Sequence, residues 1–83
     1  MSHLPPILLV DDSADDRELL SLLLRGAFGE VLIEEAADAA ALARALSTGR
    51  FGAVLTEHDL PWIRSGDLLR LIHDLRPECP VLV

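Results

Sequence analysis

Lysine is absent from this chain of 83 residues: all 7 basic residues are arginine, set against 14 acids for a formal net charge of −7. A chain so acidic lacks the basic face that tracks phosphates, which argues against a nucleic-acid module. The balance suits a cation pocket or an Arg-bearing partner, although most of these charges read as plain solvated surface. Cysteine occurs once, at Cys79, which excludes an internal disulfide and a cysteine-based metal cluster. Beside Pro80 and ahead of an apolar run, Cys79 reads as a small buried hydrophobe. No stretch approaches the ~20 apolar residues of a membrane span. The start, Met1 to Pro6, lacks the basic region of a signal peptide, and Ile7 to Val10 is too short for its apolar part. The expected location is therefore cytoplasmic, with neither membrane nor direct nucleic acid as partner. Also missing are a Gly-rich phosphate loop, a nucleophile elbow and a Ser-His-Asp arrangement at workable spacing. A self-contained enzyme is not expected.

What the chain does have is apolar residues, 51% of the total, gathered in separate blocks. That predicts a core, within one domain at most, and a marginal one, because small domains leave much surface wet. Ile7 to Val10 is a continuous apolar run fenced by Pro5 and Pro6 and closed by Asp11 and Asp12. Such a run reads as a strand buried on both faces, as in a parallel sheet. Ser13 offers a helix N-cap with acids in the following turn, and Leu20, Leu23, Leu24 and Ala27 mark one helical face. Gly26 and Gly29 punctuate its end.

Val31 and Ile33, alternating with Leu32 and Glu34, predict a second strand. Asp38 caps a helix over Ala39 to Leu46 that stops at Gly49. Phe51 to Thr56 predicts a third strand, and Pro61 and Gly66 bracket a loop. Helical periodicity resumes from Asp67 to Arg76 until Pro77 ends it. Pro80 to Val83 opens a fourth strand. The order β-α-β-α-β-α-β specifies right-handed crossovers and a parallel sheet with helices on both faces. Because the chain stops inside an apolar run, the expectation is one domain over 1–83 that is incomplete at its C-terminal end. Exposed core there would make self-association plausible.

In an open parallel sheet, sites form beyond the carboxyl ends of the strands. Two strand ends carry acids: Val10-Asp11-Asp12 and Leu55-Thr56-Glu57-His58-Asp59-Leu60-Pro61. If strands one and three are neighbours, Asp11, Asp12 and Glu57 converge, and they repel unless a cation or a shared proton joins them. A hard divalent ion such as Mg²⁺ is the natural partner. The plainer reading makes Asp11 and Asp12 caps of the first helix; the second acidic strand end favours a site. Asp15 and Asp16 read as partners of the helix dipole, and His58 and His73 as solvent-facing. With no Cys or His at ligand spacing, zinc is not expected.

Ile-Leu-Leu-Val-Asp-Asp followed by Ser-x-x-x-Arg, an α/β repeat and Val-Leu-Thr-Glu-x-x-Leu-Pro together resemble the receiver domain of two-component response regulators (CheY-like), from Ile7 to Val83. The resemblance implies a flavodoxin-like, doubly wound sheet in order 2-1-3-4-5, here cut short after the start of the fourth strand. It implies that Asp12 binds Mg²⁺ directly, that Asp11 acts partly through water, and that Asp59 lends its backbone carbonyl. The phosphoacceptor position falls on Glu57, where the family has aspartate.

That departure implies an atypical, pseudo-receiver module. Glu57 carries one methylene more than aspartate, and in-line phosphoryl transfer tolerates little misplacement. The loop Trp62 to Gly66 is one residue longer than the common pattern. The family's switch hydroxyl and lysine positions lie past Val83. The implied partners are a histidine kinase or phosphotransfer protein and an output domain or effector. The alternative is a phosphorylation-independent interaction or dimerisation module on the same fold.

Overall fold

The computed structural model describes residues 5–49 and 51–83. The reading of the start as leaderless falls largely on Met1 to Leu4, outside those residues. Strand and helix alternate through β1 (Ile7–Val10), α1 (Ala14–Phe28), β2 (Ile33–Ala36), α2 (Ala39–Thr48), β3 (Ala53–Thr56), α3 (Ser65–Leu75) and β4 (Val81–Leu82). The strands form one sheet in the order β2-β1-β3-β4, every pairing parallel. The doubly wound α/β fold expected from the pattern is the one observed.

Because β1 is central, Leu8, Leu9 and Val10 are all buried. Successive strand residues face opposite ways, so the two faces have separate packing. Leu8, Val10 and Val54 join Leu42 and Leu46 of α2 and Leu68 and Ile72 of α3 in the main core. On the other face, Ile7 and Ala53 line a small apolar cavity with Phe28, which puts α1 on that side. The winding reverses at β1, and this carries α1 to one side and α2 and α3 to the other.

The caps form as the sequence suggests. The Ser13 hydroxyl accepts from Asp16 N–H at 3.3 Å, and Asp38 Oδ1 accepts from Ala41 N–H at 2.8 Å. Each satisfies one of the N–H groups that a helix start leaves unpaired.

Three details differ from expectation. The sheet-facing side of α1 is carried by Arg17, Leu20, Ser21 and Leu24, while Leu23 and Ala27 are exposed. In this rotation Arg17 is anchored to the Asp11 carbonyl at the end of β1, and the Leu19–Leu23 edge faces outward. β2 begins at Ile33 rather than Val31, because Ile7 pairs with Ile33. Glu34 and Glu35 thereby sit in an edge strand, where charge is tolerated and discourages further pairing. α3 begins at Ser65, so Gly66 lies in its first turn instead of the loop.

Candidate functional site

The parallel register of β1 and β3 sets Val10 beside Thr56. The Glu57 amide donates to the Val10 carbonyl at 2.9 Å, and the Asp11 amide donates to Ala36 at 3.1 Å. Asp11 and Glu57 are therefore the first residues past the tips of two adjacent central strands. Their proximity is a consequence of backbone pairing rather than of side-chain choice.

Asp11 is 1% exposed, deep for a carboxylate. Its Oδ1 accepts the Ser13 amide at 2.9 Å, while Oδ2 is buried with no hydrogen-bond partner. A buried carboxylate oxygen left unpaired is costly, on the order of 1–3 kcal/mol or more for a charged group. The nearest cationic side chain does not relieve it. Arg17 gives its Nη1 to the Asp11 backbone carbonyl at 2.8 Å and its Nε to Glu35 at 2.8 Å. The guanidinium thus ties α1 to β1 and β2 and spends its charge on Glu35.

Carboxylate oxygens of Asp11, Asp16 and Glu57 lie within 4.8 Å of one another. Glu57 is exposed, and its Oε1 accepts the His58 amide at 3.0 Å. Of the acids singled out from sequence, the structure brings Asp11 and Glu57 together. Asp12 and Asp59 are exposed and stand outside this group. Asp59 lines a neighbouring open cavity of about 610 Å³ with Trp62, Arg64 and Ser65. The Ser65 hydroxyl donates to the His58 carbonyl at 2.7 Å, pinning the loop after β3 to the start of α3.

Asp16 is the residue that sequence reasoning assigned elsewhere, as a dipole partner of α1. A signal was available. Ser13-x-x-Asp16 has the spacing of a capping box, in which the acid reaches back to the cap amide. Here Asp11 already holds that amide. The Asp16 carboxylate is thereby left to face the strand tips. The donor set is all oxygen, which suits a hard divalent cation that takes carboxylates and water.

The parallel sheet in the order β2-β1-β3-β4, with helices on both faces, is a fold of the CheY-like flavodoxin class. No protein-family profile matches the chain, and no curated protein does. Among solved structures, the chemotaxis response regulator CheY4 of Vibrio cholerae is 26% identical with a TM-score of 0.78, over 94% of this chain and 65% of that one. The signal receiver domain of an HD domain-containing protein from Pseudomonas fluorescens Pf-5 is 26% identical with a TM-score of 0.82, over 98% and 58%. A two-component transcriptional regulator AraC from Clostridium phytofermentans ISDg is 29% identical with a TM-score of 0.76, over 93% and 60%. The chain spans less than two thirds of each of these three.

Proposed function

We propose that the chain is a receiver module of two-component signalling, not an enzyme in its own right, in which Asp11 and Glu57 hold a divalent cation and Glu57 is not a phosphoacceptor. The observation that carries this reading is the buried Asp11, its Oδ2 unpartnered, with its carboxylate near that of Glu57 at the paired strand tips. A bound Mg²⁺ would supply the positive charge that this pocket of carboxylates lacks. In the same reading the Asp59 backbone carbonyl is a further oxygen donor from the loop after β3. The kinase or phosphotransfer partner and the output domain belong to this proposal too, as partners that sense which of two conformers the module occupies.

Two features support a non-acceptor Glu57. Its carboxylate sits about one carbon–carbon bond further out than an aspartate's. It also already accepts the His58 amide, which holds Oε1 against the loop. One planar negative charge imitates a phosphate of nearly two charges only in part, so Glu57 biases the module toward its signalling form without fully imposing it.

Incubation with a small phosphodonor and Mg²⁺, followed by intact-mass measurement, tests the reading. The expected outcome is no stoichiometric gain of a phosphoryl group. A full adduct mapped to Glu57 would refute it.

A further inference from the structure

We propose that Asp16, from the first turn of α1, is the third carboxylate ligand of this cation site, in the role that sequence alone gives to Asp12. The inference rests on the cation-binding reading above and specifies which residues do the binding.

Four observations converge on Asp16. Its carboxylate oxygen lies within 4.8 Å of those of Asp11 and Glu57, an arrangement that one ion can bridge. Asp11, 1% exposed, has one carboxylate oxygen with no hydrogen-bond partner, so the group includes a buried acid that lacks a donor or cation for that oxygen. The use that would occupy Asp16 in an ordinary helix start is taken, because the Ser13 amide already donates to Asp11 at 2.9 Å. Finally, Asp16 has its own amide held by the Ser13 hydroxyl, which fixes the first turn over the strand tip.

Asp12 is exposed, as Asp16 and Glu57 are, but it belongs to no group of three convergent acids among the described residues. The contrast has a simple geometric origin. Alternation along an extended segment sends neighbouring side chains to opposite sides, so Asp11 turning inward sends Asp12 out. A helix that starts three residues after Asp11 at Ala14 then returns Asp16 to the same side.

The test is Mn²⁺ binding, read from the free-ion signal in electron paramagnetic resonance, on the unaltered chain and on Asp16→Asn, Asp12→Asn and Asp15→Asn. Each variant removes one negative charge, and circular dichroism melts establish that all four chains are folded. Asp15 lies in the same turn outside the cluster, so its variant measures the loss of diffuse charge. The expected result is that Asp16→Asn weakens Mn²⁺ binding about tenfold or more. The other two variants change it by less than about threefold in physiological salt. Loss of binding in Asp12→Asn with Asp16→Asn unaffected would overturn the assignment of Asp16 and leave the cation-binding reading standing. Equal effects of Asp15→Asn and Asp16→Asn would overturn it as well. Absence of binding by the unaltered chain would instead overturn the underlying reading, and the inference with it.

Discussion

Arg17 shows how much one side chain can decide at this site. It is the cationic member of the ion pair found among the described residues, and its side chain is 16% exposed. Its two hydrogen bonds join α1 to the end of β1 and to Glu35 on β2. Arg17→Met keeps much of the aliphatic stem and removes both bonds. Charged hydrogen bonds that are partly shielded contribute on the order of 1–3 kcal/mol, discounted here because Glu35 is half exposed. The expected loss is about 1–2 kcal/mol in urea unfolding, larger in low salt than in high. A change under about 0.3 kcal/mol would mean that α1 is held by packing alone. The residue was legible in the Ser-x-x-x-Arg spacing, but its partners were not. Glu35 is eighteen positions away in sequence, and only the sheet brings it near.

At the scale of elements, the approach to β4 carries a second checkable feature. Cys79 is buried between Arg76 and the strand, with its Sγ 3.7 Å from the carbonyls of Phe51 and Pro80. Burial pushes its thiol above the ordinary value of 9.0, and Glu78 adds to this while Arg76 opposes it. The fold therefore prefers the neutral thiol. Its contribution is fully present below the ordinary thiol range and is lost as pH rises through the raised value. In alkaline titrations the melting temperature should fall past pH 9, and Cys79→Ala should flatten part of that fall. Iodoacetamide should label the native thiol at least about tenfold more slowly than the unfolded one at pH 8, since the thiolate is the reactive form. Equal labelling rates would place Cys79 in an open, unpacked segment. The sequence reading of Cys79 as a small buried hydrophobe agrees with the structure.

Elements also differ in how well pattern foretold them. β1 and β3 were clear, because strands covered on both faces need continuous apolar runs. α2 was clear because Asp38 caps a stretch of good helix formers. β2 was displaced because it is an edge strand, and its two glutamates answer to solvent and register instead of hydrophobic alternation. The inward face of α1 was misjudged because a helix so rich in leucine offers more than one apolar stripe. The stripe that faces the sheet is the one that carries Arg17 and the buried Ser21.

Across the whole molecule, the outward edge of α1 leaves large apolar side chains uncovered. Leu19, Leu22 and Leu23 on α1 are 56%, 61% and 60% exposed, and Leu82 of β4 is 61% exposed. Apolar residues gathered this densely exceed the scattered exposure that most surfaces tolerate. The chain should bind a hydrophobic fluorescent dye in its native state, and Leu23→Glu should reduce that signal while costing less than about 0.5 kcal/mol of stability. A large destabilisation would show that Leu23 is packed in solution.

Sequence by itself determined what depends on neighbouring residues and on covalent order. It set which runs are strands, where helices are capped, the alternation that demands a parallel sheet, and the pairing of acids with the ends of two strands. It also put glutamate at position 57, with the longer reach that follows from one added methylene. Tertiary structure alone decided which carboxylates meet. Strand pairing brings Asp11 to Glu57, and the turn into α1 brings Asp16, and not Asp12, into the same group. The physical reason is that spacing along a chain constrains only local direction. Convergence in space depends on register, on helix rotation and on which backbone amide each carboxylate has already taken.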